Sequence, residues 1–220
     1  MKTKHDHKWA IIANALMLLV LFTLPIYVKF GNFLEPEHWQ RSENVVRMFE
    51  DCFTRDQPLN STFSNVAAVL WTVSLSVCGF SWLLLKRVTP FRQSLFLLCS
   101  LALIGIWLFD ELFHLTVALQ IWLHVPKLLV YAIYGIATLI YLTRFRNEIR
   151  KTPYVFLLLG LLLFVSSNMT DILPVTGSTM PIYVEDSFKL LGLINVSYYY
   201  ILSCHKIATV WLEKMSFSTL

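Results

Sequence analysis

Charge is scarce in this chain. Only 15% of its 220 residues are Asp, Glu, Lys or Arg, against about 25% in an ordinary soluble domain. The metal and haem signatures HxxxH, HExxH, CxxC and CxxCH are absent, which leaves no zinc knuckle, zincin or attached haem to read. The four cysteines form no disulfide framework: Cys78, Cys99 and Cys204 fall inside apolar runs and Cys52 stands alone in a loop, as small buried hydrophobes do. Internal repeats, low-complexity tracts and a second domain are lacking as well. No small-x-small cleavage site follows the basic start Met1–Lys8, so the first apolar run reads as a retained helix rather than a secretory leader.

What is present is hydrophobicity. Apolar residues make up 56% of the chain and its mean hydropathy is +0.61. Runs of about 20 apolar residues, the length that crosses a hydrocarbon core, recur between clusters of charge. A soluble helix would keep a polar face at helical period, and the run from Trp9 to Val28 keeps none. The expected fold is therefore an all-α integral membrane bundle of six transmembrane helices in one domain. The spans fall at residues 9–28, 65–85, 93–119, 127–143, 153–173 and 184–212. Small residues at Gly79, Gly105, Gly135 and Gly192 suit close helix contacts.

The connecting segments alternate in charge. Lys2, Lys4 and Lys8 precede the first span. Lys86, Arg87 and Arg92 lie between the second and third, and Arg144, Arg146, Arg150 and Lys151 between the fourth and fifth. Lys206 and Lys214 close the sixth. On the other side, residues 31–64 carry Arg41, Arg47 and Arg55, outweighed by six acids, and the two remaining loops hold only Lys127. The positive-inside rule then places both termini in the cytoplasm. A bacterial inner membrane is the expected location, with the lipid bilayer and other membrane protein subunits as partners. The net charge of +4 reports this topology and not nucleic-acid binding. Within residues 31–64, apolar Trp39, Val45, Val46, Met48 and Phe49 among charges fit either an interfacial amphipathic helix or a solvated loop helix.

Ionisable groups inside a bilayer cost several kcal/mol and usually face protein or a wet cavity. The third span carries Asp110, Glu111 and His114, with Asp110 and His114 four residues apart and so on one helix face. Asp171 ends the fifth span. Glu185, Asp186 and Lys189 open the sixth, the lysine one turn from both acids. Ser61 and Asn65 start the second. Asp110 lies about 18 residues beyond Arg92, about 27 Å at 1.5 Å per residue, so all these groups fall near the outer end. Three readings follow: an ion-pair network that fixes helix packing, a proton or cation path, or a cavity holding a divalent metal. A metal would be held by Asp110 and His114 with Glu185 or Asp171, a mixed His and carboxylate set that suits zinc, iron or manganese. A zinc-bound water there would become a nucleophile near neutral pH.

Two resemblances bear on these residues. Asp110-Glu111 with His114, together with Glu185-Asp186-Ser-Phe-Lys189-Leu-Leu-Gly192, is similar to motifs in a group of uncharacterised bacterial multi-pass membrane proteins, which implies the fold and the polar residues. Glu50-Asp51-Cys52, followed by Asn60-Ser-Thr-Phe-Ser-Asn65 and later by Asp110-Glu111, resembles the alkaline ceramidases. That resemblance implies a zinc-dependent amide hydrolase of seven helices. The terminal His-x-x-x-His pair of that family has no counterpart here, where only His205 is near. The functions in view are a non-catalytic accessory or structural membrane protein, a metal-dependent hydrolase of a lipid or amphiphile, and a small proton- or cation-coupled transporter.

Overall fold

A computed structural model describes the backbone of residues 3–30, 62–172 and 180–218 and most of their side chains. The described residues are all-helical, without strands. The helices are α1 (Thr3–Phe30), α2 (Thr62–Leu85), α3 (Phe91–Phe113), α4 (Leu115–Leu123), α5 (Lys127–Arg144), α6 (Arg146–Arg150), α7 (Tyr154–Ile172) and α8 (Met180–Ser218). Among the described residues, three stretches are long and apolar enough to cross a membrane: Phe63–Leu85, Phe91–Phe113 and Lys127–Arg144. Shorter apolar helical stretches cover Ile11–Thr23 and Tyr154–Thr170. Ser61 and the anticipated interfacial segment up to it lie outside the described residues.

Proline sets several of the helix starts. Pro90 and Pro126 immediately precede the first residues of α3 and α5, and Pro153 precedes α7. A proline disfavours helical geometry in the residue before it, yet its own fixed φ suits a helix start. The turn before α3 is closed further by Thr89, whose hydroxyl donates to the Leu85 carbonyl at 2.9 Å.

The expected span at residues 93–119 is corrected. Its helix stops at Phe113, His114 takes the left-handed conformation (φ 48°, ψ 45°), and a separate nine-residue helix, α4, follows. Asp110 and His114 therefore do not share one helix face, because the histidine is already outside the helix. The expected bounds 65–85, 127–143 and 153–173 lie within three residues of observed helix ends, whereas the helices over 9–28 and 184–212 run on to Thr3 and to Ser218, six residues past the expected start and end.

The chain divides into two compact units, Met1–Ala67 with Leu158–Val196, and Ala68–Leu157 with Ser197–Leu220. In the first, α7 and α8 meet at Gly160 and Gly192. A Cβ on Gly160 would come within 2.6 Å of Val196 Cγ2 and 2.8 Å of the Gly192 carbonyl oxygen. Hydrogen is the largest side chain that crossing admits, as where small residues let membrane helices approach. Gly135, by contrast, faces open space, so its expected role in close packing is corrected. Asn14 of α1 and Asn195 of α8 exchange amide hydrogen bonds of 3.2 and 2.7 Å. The Tyr183 hydroxyl donates to the Leu21 carbonyl between the same helices.

The second unit has an aromatic core. Phe96 stacks on Tyr141 with centroids 5.9 Å apart and meets Phe145 edge-on, while Trp71 meets Trp107 edge-on at 5.3 Å. Tyr199 and Tyr200 are buried beside each other on α8. Buried phenols need polar partners: Tyr141 Oη lies 2.7 Å from Ser100 Oγ, and Tyr199 Oη lies 3.2 Å from Thr152 Oγ1. The outward faces of α2 and α5 are strongly apolar, with Val69, Leu83, Leu84, Ile136, Leu139 and Ile140 all exposed.

Candidate functional site

The polar groups of the second unit gather where α3 gives way to α4. A helix start leaves backbone N–H groups without intrahelical partners, and α4 begins immediately after a residue held in left-handed geometry. Asp110, one turn back on α3, supplies the acceptor. Its Oδ1 receives the Thr116 backbone N–H at 2.7 Å, and the Thr116 hydroxyl lies 2.9 and 3.0 Å from the two carboxylate oxygens. Thr116 is itself buried. The carboxylate thus acts on α4 as a capping side chain does, although it belongs to the preceding helix. Charge-assisted bonds of this kind are roughly twice as strong as neutral ones.

Histidine at the break is physically reasonable. Left-handed geometry is uncommon outside glycine, but histidine is among the residues enriched there. The His114 carbonyl accepts the Ala118 N–H at 2.8 Å, which starts the α4 ladder. His124 closes α4 the same way, with φ 52° and its N–H on the Leu119 carbonyl. His114 and His124 are the positive-φ non-glycine positions among the described residues, and they bracket α4. Beside this turn, the Tyr134 hydroxyl of α5 is buried within electrostatic reach of Asp110 and Thr116 and makes no hydrogen bond of proper geometry. Glu111 and His114 are half-buried, and neither is free of interactions.

The remaining candidates belong to the first unit. Glu185, Asp186 and Lys189 lie on one continuous helix, α8, at spacings of four and three residues that put the lysine one turn from both acids. All three are half-buried and engaged in interactions. Asn65 lies in the first turn of α2, and its side-chain oxygen is buried without a hydrogen bond. Asp171 falls in the last turn of α7. Among the described residues, no group of three or more His, Cys, Asp or Glu side chains is arranged to hold a metal ion.

Two polar features escaped the reading of the sequence. One is the reciprocal Asn14–Asn195 pair, whose partners are 181 residues apart. The other is the set of phenols and thiols inside the second unit, where Cys78 and Cys204 face each other. In the sequence these were tyrosines and cysteines in apolar runs, which usually mean packing. A run of three tyrosines at 198–200 inside one helix was the available signal, since a helix turns such a run inward on at least one side.

A family model described as a domain of unknown function (DUF8692) matches residues 10–204. No curated protein and no solved structure is similar to the chain.

Proposed function

The chain belongs to the family described as a domain of unknown function (DUF8692), and we propose that it is a six-span protein of the bacterial inner membrane that serves as a non-catalytic accessory or structural partner of other membrane subunits. Both termini lie in the cytoplasm in this reading. The apolar outward faces of α2 and α5 support burial in lipid, since soluble monomers rarely expose contiguous apolar patches beyond a few hundred Å². Sidedness is supported by the basic segments of the second unit, which gather together. Arg92 donates to the Arg144 carbonyl at 3.4 Å and pairs with Glu148 at 3.7 Å. Lys206 donates to the Lys151 carbonyl at 2.5 Å. The segment 144–151 thus touches both Arg92 and Lys206, so basic groups assigned to the cytoplasm on charge alone lie together, as groups on one side of a membrane can.

The observation that carries the non-catalytic reading is the Asp110–Thr116 contact. The acid best suited by sequence to ligate a metal is occupied as the acceptor that closes a helix turn. The protein's work is then to hold a shaped helical surface in the bilayer for a partner. Affinity purification from native membranes in mild detergent is expected to recover a second membrane protein in fixed ratio. Metal analysis of the same preparation is expected to find less than one-tenth equivalent of zinc, iron or manganese. A stoichiometric metal that disappears in both Asp110→Ala and His114→Ala would replace this reading with the hydrolase one, which the buried, unsatisfied oxygen of Asn65 and the ceramidase-like segment around it favour. Reporter fusions after residues 88, 148 and 214 are expected to report cytoplasm, and a periplasmic signal from any of them contradicts the topology.

A further inference from the structure

The described cysteines are all thiols, and two of them form a pair. Cys78 of α2 and Cys204 of α8 bring their sulfurs to 3.7 Å, ordinary van der Waals contact, while 0% and 1% of their surfaces are exposed. Both lie in the second unit. Buried thiols are common as isolated small hydrophobes, but contact between sulfurs from two helices 126 residues apart in sequence is a further condition. Their surroundings are polar as well. The hydroxyls of Tyr199 and Tyr200 lie within electrostatic reach of both sulfurs, and the Ser81 hydroxyl adjoins Cys204. Ser203, also buried, has no hydrogen bond on its hydroxyl. Hydroxyl groups therefore share this interior with the two sulfurs, the Ser81 hydroxyl nearest to Cys204.

We propose that Cys78 and Cys204 form an intramembrane redox site, a dithiol that a small uncharged peroxide oxidises to a disulfide. In the first step the sulfur of one thiol attacks the O–O bond of hydrogen peroxide, giving a sulfenic acid and releasing one water. In the second, the neighbouring thiol displaces the sulfenic oxygen as a second water, and the S–S bond forms. Two thiols and one peroxide yield one disulfide and two waters: the sulfurs lose two electrons, the peroxide oxygens gain them, and both thiol protons end in water. Sulfur–sulfur approach from contact to the bonded distance of about 2.05 Å requires movement of about 1.7 Å, within the reach of small χ1 and helix adjustments. The bond ties α2 to α8. Selectivity follows from burial, since a neutral oxidant can enter a hydrophobic bundle whereas charged oxidants and charged thiol reagents remain outside it.

The test uses the full-length chain in liposomes. The protein is treated with hydrogen peroxide, then unfolded in detergent with excess maleimide and weighed intact. The reduced chain is expected to take four maleimides, one for each cysteine. After peroxide it is expected to take two, with a Cys78–Cys204 cross-link in the peptide map, and dithiothreitol is expected to restore four. Cys99→Ser should still form the cross-link, and Cys78→Ser and Cys204→Ser should not. A sulfonate-bearing methanethiosulfonate applied to the folded protein should leave both cysteines free. Four maleimides after peroxide, a cross-link through Cys52 or Cys99 instead, or sulfinic acid at Cys78 or Cys204 without a cross-link would each overturn the proposal. The wild-type mass and peptide map together decide between these outcomes, so an unstable serine variant does not blunt the test.

Discussion

The two units handle buried polarity in opposite ways. In the second, Asp110 is conspicuous in the sequence, an acid beside another acid in an apolar run, yet its partner is Thr116, only six residues on. In the first, Asn14 is a single modest amide in a long apolar helix, yet its partner is Asn195, 181 residues away. The stronger polar group closes a local turn, and the weaker one joins distant helices. Low dielectric explains both: an unpaired carboxylate is costly enough that the nearest orphan N–H secures it, whereas an amide in a bilayer can complete its bonding with a second amide on another helix. Ionisable residues in membrane segments therefore need not mark chemistry, and neutral ones need not be incidental.

The largest effect is expected where no polar side chain is involved. Gly160→Val would drive side-chain atoms into Val196 and the Gly192 carbonyl. Because backbone cannot yield as a flexible side chain can, we expect a loss of about 3 kcal/mol or more, read by reversible unfolding in bicelles. If Gly160→Val unfolds like the wild type, the close α7–α8 crossing is wrong. Asp110→Ala ranks second. It strips Thr116 of its acceptor and should lower stability by about 1–2 kcal/mol, the range for a lost cap, with faster hydrogen exchange at the start of α4.

Asn14→Leu ranks third. Asn195 keeps its bond to the Leu191 carbonyl at 2.8 Å but loses its exchange with Asn14, so a cost of about 0.6 kcal/mol is expected, the average measured for interhelical bonds in a membrane protein. Asp110→Ala should thus cost more than Asn14→Leu, and the reverse order would undo the contrast between the units. Gly135→Ala is the smallest. Nothing lies within 4 Å of the added methyl, so stability should stay within about 0.5 kcal/mol, as at surface positions generally. A large loss there would mean that an unseen surface packs on α5.

Much of the helical pattern was legible because bilayer thickness fixes the length of an apolar run, and because Pro90, Pro126 and Pro153 mark helix starts by a local steric rule. The break after Phe113 was not legible. Apolar residues continue through Leu123 with no glycine or proline between, so hydropathy reads one long span. The turn depends on His114 adopting positive φ and on a carboxylate six residues before a threonine, and neither changes hydropathy. An acid near the end of one apolar run, then a histidine, then Thr two residues later was the pattern to notice. Residue type suggested the packing role of Gly192, whereas its tight partner Gly160 was visible only as one more glycine. The Asn14–Asn195 and Cys78–Cys204 contacts depend on how helices remote in sequence are rotated, which no local pattern encodes.

A double-mutant cycle on Asp110→Ala and Thr116→Val, with unfolding followed in bicelles, tests most directly whether the conspicuous acid is architectural. The two losses are expected to be non-additive by about 1 kcal/mol, as for side chains in contact, with metal content unchanged throughout. Additive losses, accompanied by a bound metal that vanishes with Asp110, would contradict that account.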